Sequence, residues 1–298
     1  MNASSIEEIA NAILYEGYLL YPYRASAVKN RQRWNFGVLY PRAYAESQSG
    51  NDAWWCQTEC LMTGGTKTKL SVRLRFLQIE SVGREAEQGR ERDIELRSFY
   101  PEQLAWQPTR AVFSFPCDDH GARVDAMIEI TSQCISQELY KIRVIVFNNS
   151  AFAGSTRDEA LRHSMVSTHT ILGIDGGEFV SLLDPPAALA DLTKTCKNIG
   201  IWPVLTGDED RRDAMLCSPI ILYDYPKIAP ESPGALFDGT EIDEILSLRI
   251  LTLTDEEKRE MSLTDERTRE ILERTEAMTP EQFMKVHGVL HNIREGQL

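Results

Sequence analysis

Two periodicities divide this chain. Apolar residues recur every second position through its middle, and every three to four positions at its ends. Near the N-terminus, Ile6, Ile9, Ala10, Ile13 and Leu14 fall on one helical face, and Gly17 follows them, so a helix is predicted over Ile6 to Tyr18. From Trp54 to Asn149 the pattern is that of strands. Lys69 to Val82 sets Leu70, Val72, Leu74 and Phe76 against Ser71, Arg73 and Arg75, and the apolar set then moves to Leu77 and Ile79. A one-residue phase change of this kind predicts a bulge. Arg123 to Ile130 and Glu138 to Phe147 alternate cleanly, and two-faced strands of this sort belong to antiparallel sheets. The run Gly83 to Arg97 is so densely charged that it reads as a loop or a short solvent-facing element.

Further on, Thr156 and Glu159 have the spacing of a capping box, which predicts a short helix over Ser155 to Met165. Val166–Ile174 and Glu178–Leu183 flank Asp175-Gly176-Gly177, a turn signal that predicts a hairpin. Thr63-Gly64-Gly65-Thr66-Lys67 reads as another hairpin turn. After Cys217 the chain changes character. A short apolar run, Ile220 to Tyr223, meets Pro226, Pro230 and Pro233, which fix φ and remove backbone donors. This stretch must run extended. It carries six acids between Asp224 and Glu244 against the single base Lys227. Beyond Thr254, capping boxes (Thr254 with Glu257, Thr279 with Gln282) and acid-then-base pairs such as Asp265 and Arg269 predict helices.

The resulting expectation is an α+β protein. A β-rich main domain with an N-terminal helix spans residues 1–216, its body an antiparallel sandwich-like sheet. A proline-rich acidic strap spans 217–254, and a helical extension spans 255–298.

Composition narrows the function. The chain of 298 residues has a formal net charge of −13, which disfavours nucleic acid and anionic membrane as partners. No apolar run approaches the length of a membrane span, the first residues do not form a signal peptide, and the six cysteines are too dispersed for a secreted disulfide framework. A cytoplasmic protein with reduced thiols is expected, with no membrane insertion.

Against this acidic background, Tyr21 to Pro41 contains Arg24, Lys29, Arg31 and Arg33 and no acid, interleaved with Tyr21, Tyr23, Trp34, Phe36 and Tyr40. Basic and aromatic groups so mixed suit phosphate or stacked-base recognition, and equally an acidic surface of the chain itself or of a partner, through carboxylate forks and cation–π contacts. The expected partner-binding residues are therefore Tyr21, Tyr23, Arg24, Lys29, Arg31, Arg33 and Trp34. On the strap they are Tyr223, Asp224, Tyr225, Glu231, Asp238 and Glu241.

Two other chemistries are open. Cys56 and Cys60, with Cys117 and His120, form two close-spaced pairs of soft ligands, the kind of set that holds zinc or iron. His163 and His169 lie near Ser164, Ser167 and Asp184, which leaves a hydrolase using His169 as a further alternative, although no nucleophile elbow is present. His287 and His291 are spaced like metalloprotease ligands, but Gly288 stands where the general base belongs.

The stretches EGYLLYPYRASAVKNRQRWNFGVLYP, HSMVSTHTILG, FVSLLDPP and SPIILYDYPKIAPESPGALFDGTEIDEILSLRILTLTDEEK resemble a family of uncharacterised bacterial proteins that occur with the nickel–iron (NiFe) hydrogenase and its maturation proteins. The resemblance covers most of the chain and carries no catalytic motif. It implies a non-enzymatic accessory or assembly protein whose partner is a hydrogenase subunit or maturation factor.

Overall fold

A computed structural model describes residues 3–14, 34–48, 50, 52–82, 86–116 and 123–227, together with isolated positions between 254 and 277. The chain divides into two compact units. One comprises Met1–Leu14 and Trp34–Lys227, the other Tyr15–Arg33 and Ile228–Leu298. In the second unit the Lys258 ammonium pairs with Glu276 at 2.8 Å. The predicted helical extension otherwise lies largely outside the described residues.

The first unit is mostly antiparallel sheet, as its alternating pattern predicts. Its strands are β1 (Trp55–Val82), β2 (Ala86–Phe99), β3 (Thr109–Pro116), β4 (Arg123–Ser136), β5 (Leu139–Asn148), β6 (Val166–Val180), β7 (Trp202–Leu205) and β8 (Ala214–Ser218). They form one eight-stranded sheet in the order β3-β4-β5-β1-β6-β8-β7, with β2 also paired to β1. The helices are α1 (Ala3–Leu14), α2 (Arg42–Ser47), α3 (Pro101–Trp106), α4 (Arg157–Leu161) and α5 (Ala190–Thr193).

The 28 residues of β1 organise the sheet. Drawn straight, they would reach about 90 Å, roughly twice the diameter of a globule of this size. The strand must bend, and its partners show where. Trp55–Thr63 pairs with β5, Leu70–Val82 pairs with β2, and β6 runs beside both halves. At the change of partner, four residues of β1 between Gly64 and Lys69 lie opposite the single Gly176. The Thr68 hydroxyl closes this bulge by donating to the Gly176 carbonyl at 2.7 Å. The two glycine signals thus serve a different purpose from the one expected. Neither Thr63–Lys67 nor Asp175–Gly177 reverses the chain. They face each other across a bulge, and β6 continues through it. Gly176 takes φ of 78°, and a Cβ on Gly177 would fall 2.3 Å from the Thr63 carbonyl oxygen.

The predicted phase change at Phe76–Leu77 is present, but the extra residue belongs to β6. Ser167 and Thr168 oppose Phe76 alone, and Ser167 takes φ of 51°. Both Phe76 and Leu77 are buried as a result. The core contains Val72, Leu74 and Phe76 from β1, Ile128 and Ile130 from β4, Ile142 and Val144 from β5, and Leu172 from β6.

The charged run Gly83–Arg97 supplies most of strand β2 rather than a loop. Its charges find cross-strand partners: Arg73 bonds Asp93, and Arg90 and Arg92 both reach Glu80. Such pairs stabilise a strand whose outer face is wet. Gln78 links three strands. It accepts from Arg92 Nε at 2.8 Å and donates to the Phe115 carbonyl of β3 at 3.2 Å.

Helix α1 buries the apolar face expected of it. Ile9 and Ile13 pack on Val204 and Leu216. Glu7 and Asn11, one turn apart, reach Arg73 and Arg75 of β1. The Thr156–Glu159 capping box at α4 also forms as predicted.

Adding a methyl group at Gly177 must force the bulge apart, whereas Gly65 has open space around its Cα. Gly177→Ala is expected to cost about 2 kcal/mol, typical of overpacking, and Gly65→Ala less than about 0.5 kcal/mol. Denaturant midpoints of the two variants check this.

Candidate functional site

Among the described residues of the first unit, a cleft of about 370 Å³ lies between residues 35–40, the start of β1, and the approach to β7. Residues 36–40 are clipped to the body by backbone hydrogen bonds. Ser167 and Thr168 N–H donate to the Phe36 and Gly37 carbonyls, Leu39 and Met165 exchange both bonds, and Tyr40 N–H donates to Ala53. On the opposite side, Gln57 and Ile199 exchange bonds at 2.9 Å, which sets Gly200, Ile201 and Trp202 beside β1.

The backbone around this cleft is unusual. Trp34 (φ 62°), Gly37 (51°), Ser167 (51°) and Gly200 (73°) all lie in the left-handed region, in or next to its walls. For the two that are not glycine this costs of order 1–3 kcal/mol each, and such strain concentrates at binding sites. Gly37 has a second constraint, because a Cβ there would lie 2.6 Å from Pro219 Cγ.

Two charged groups line the cleft. Arg157, the first residue of α4, turns into the wall. Its Nε donates to the Tyr40 hydroxyl (3.2 Å), and its Nη2 donates to the Trp34 carbonyl (3.0 Å) and to Asn35 Oδ1 (2.5 Å). Asp52 forms no hydrogen bond or ion pair with the described residues and stays exposed. Burial holds the Tyr40 phenol above its ordinary range; the charge and hydrogen bond of Arg157 oppose it, and the Asp52 charge adds a smaller upward push.

The strap has a different geometry. Cys217 and Ser218 are not part of it; they end β8 inside the sheet. Asp224 fixes the next stretch. Its carboxylate accepts from Ser181 Oγ at 2.5 Å and from Leu205 N–H at 2.8 Å. Tyr225 N–H donates to the Leu205 carbonyl, its hydroxyl donates to the Arg211 carbonyl, and its ring packs on the core. Asp224 and Tyr225, both expected as contact residues, are half-buried and anchor the strap. Tyr223 is 87 % exposed and Ile221 75 % exposed, held outward between Ser218 and Asp224. Trp34, also expected as a contact residue, is turned inward. It is 2 % exposed, with its indole over Gly89, the position in β2 that leaves room for it. Tyr21, Tyr23, Arg24, Lys29, Arg31, Arg33, Glu231, Asp238 and Glu241 lie outside the described residues.

Cys56 and Cys60 share one face of β1, as their spacing dictates, and both enter the core with Cys217, a third thiol that spacing did not suggest. Burial pushes Cys56 up to about 12, Cys217 up to about 11, and Cys60 well above the usual thiol range. At neutral pH these side chains are protonated and pack as apolar groups. Cys117 and His120 lie outside the described residues. Among the described residues no three His, Cys, Asp or Glu side chains form a metal-binding group.

The groups of the hydrolase alternative are not brought together. His169 is fully buried, and its Nδ1–H donates to the Ser167 backbone carbonyl at 2.8 Å, not to a serine hydroxyl. Ser164 Oγ donates to the Ala160 carbonyl, and Asp184 is exposed. His169 instead faces Arg75 across β1 and β6. Burial, aided by the Arg75 charge, lowers its pKa to about 4. No helix among the described residues is long and apolar enough to cross a membrane. No family model and no curated protein sequence matches the chain.

Because the folded state holds His169 neutral, the unfolded chain binds more protons between about pH 4 and 6.5. The stability this contributes is present above pH 6.5 and is lost as pH falls toward 4, by up to roughly 3 kcal/mol. Urea unfolding across this range should show wild-type stability falling with acid, and a shallower fall in His169→Gln.

Proposed function

We propose that this protein is a non-enzymatic, cytoplasmic accessory or assembly protein that binds a protein partner. The observation that carries this reading is the strap segment Pro219–Lys227. It lacks regular structure yet is pinned at Asp224 and Tyr225, and it projects Ile221 and Tyr223 into solvent. Large apolar side chains cost free energy when displayed to water. Held on a fixed backbone, they lose little further entropy on docking, which is how interface anchors work. In this reading a sandwich-like body carries the strap, and residues 255–298 form a helical extension. The resemblance to hydrogenase-associated proteins points to a hydrogenase subunit or maturation factor as the partner. The acids of the strap beyond Asp224 and the bases of Tyr21–Arg33 would steer the encounter.

Affinity purification of the tagged protein from its host at low salt, with partners identified by mass, tests this. A hydrogenase subunit or maturation factor should be recovered in stoichiometric amount. Its recovery should fall at least about tenfold in the Ile221→Ser/Tyr223→Ser double variant, whose melting temperature should be unchanged. Equal recovery by that variant removes the strap from the interface. Absence of any stoichiometric partner removes the accessory reading.

A further inference from the structure

The cleft beside β1 is a separate surface from the exposed anchors of the strap, and its chemistry points to a different ligand. At about 370 Å³ it falls in the range of small-molecule sites, roughly 300–1,000 Å³. Its walls are mainly apolar: Phe36, Val38, Ile201, Trp202 and Pro219, with Cys56 at the base. Trp202 remains 38 % exposed, so a large aromatic surface faces solvent.

The two charges decide what the cleft takes. An anionic ligand would need the Arg157 donors, but these are engaged by Tyr40, Trp34 and Asn35, and they hold the wall together. Asp52 has no such commitment among the described residues. It lies close enough to Tyr40 and Tyr44 to raise both phenol pKa values. The cleft therefore has a carboxylate, Asp52, and the solvent-facing ring of Trp202 in one lining, and carboxylate and aromatic groups together recognise an ammonium group through charge and cation–π attraction. The net charge of −13 favours the approach of a cation. A hard divalent ion would require several oxygen ligands, and Asp52 is the one carboxylate in the lining. Thiol chemistry is disfavoured because Cys56 stays protonated.

We propose that this cleft binds a small organic amine, its ammonium head paired with Asp52 and its apolar stem or ring against Phe36 and Trp202. Gly37 and Gly200, both at positive φ, carry no side chain into these walls, and a Cβ on Gly37 would lie 2.6 Å from Pro219 Cγ. Gly200 brings its Cα to Cys56, where a Cβ would meet Cys56 Cβ at 3.5 Å on the cleft floor.

Calorimetric titration of the full-length protein with 2-phenylethylamine tests this, with 2-phenylethanol as uncharged isostere and 3-phenylpropanoate as anion. The amine should bind saturably at one site and the other two at least about tenfold more weakly. Asp52→Asn should weaken the amine about tenfold or more and leave the alcohol unchanged. Trp202→Ala should weaken both. Asp52 is exposed and makes no structural bond, so its variant should melt as wild type does. The Ile221→Ser/Tyr223→Ser variant should bind the amine normally, which separates this site from the partner surface. Equal affinity for amine and alcohol, unchanged binding in Asp52→Asn, or no saturable binding each overturns the proposal. So does binding confined to a lysine side chain within a peptide, with the free amine inactive.

Discussion

A strand of 28 residues cannot lie straight in a body this small, and that single constraint propagates through the fold. Where β1 bends, it needs residues without side chains on both strands, so Gly64 and Gly177 face each other and Thr68 fills the space between them. A methyl group on Gly64 would itself collide with the Thr68 side chain. The bend lets one half of β1 pair with β5 and the other with β2 while β6 follows both. It also carries the start of β1 round to meet the segment entering β7, where Gln57 and Ile199 bond. The cleft is a consequence of that return. Its two sides are consecutive neither in sequence nor in the sheet.

The polar groups beneath α1 form a second, more local constraint. Arg75 is 4 % exposed, and a buried guanidinium without partners would be strongly destabilising. Glu7, Glu91 and Asp93 surround it, and Asn11 accepts a hydrogen bond from it. Two of these four groups come from α1. The helix is therefore held by electrostatics as well as by Ile9 and Ile13, and its correct seat is the one that neutralises Arg75. His169, opposite Arg75, is kept neutral by its burial first and by the Arg75 charge, against the opposing charge of Asp93. A histidine that looked chemically promising near two serines is thus a group on which the packing of the body depends, with its proton fixed by the Ser167 carbonyl.

Period-two alternation made much of the sheet legible, because it records which face is buried whatever the partner strand is. The second half of β1, β4 and β5 were readable for that reason, and so was the phase change at Phe76. What alternation does not carry is the partner. Asp175-Gly176-Gly177 has the composition of a hairpin turn, and only the four residues of β1 opposite Gly176 reveal that its glycines accommodate a bulge. The run Gly83–Arg97 looked too charged for a strand, since its stability comes from Arg73 and Glu80 on another strand. The same reasoning covers the site. Tyr223, Asp224 and Tyr225 are adjacent and similar in sequence, yet one is exposed and two are anchors; the difference lies in Ser181 and Leu205, which are remote in sequence. Asp52 carried no local signal at all.

Gly37 and Pro219 tie the two candidate surfaces together. Pro219 is the first residue after β8 and begins the strap, and it is also a wall of the cleft, seated where Gly37 has no side chain. Between Pro219 and the Asp224 anchor lie Ile220, Ile221, Leu222 and Tyr223. Ile220 and Leu222 pack toward Ile9, Ile13, Val204 and Leu216, while Ile221 and Tyr223 point away. The inward pair fixes the height of the strap above the sheet, and the outward pair is what a partner would grip. Of the outward pair, Ile221 lies two residues and Tyr223 four residues after Pro219. The strap is therefore fixed at one end where Pro219 seats against Gly37 and at the other by the hydrogen bonds of Asp224 and Tyr225.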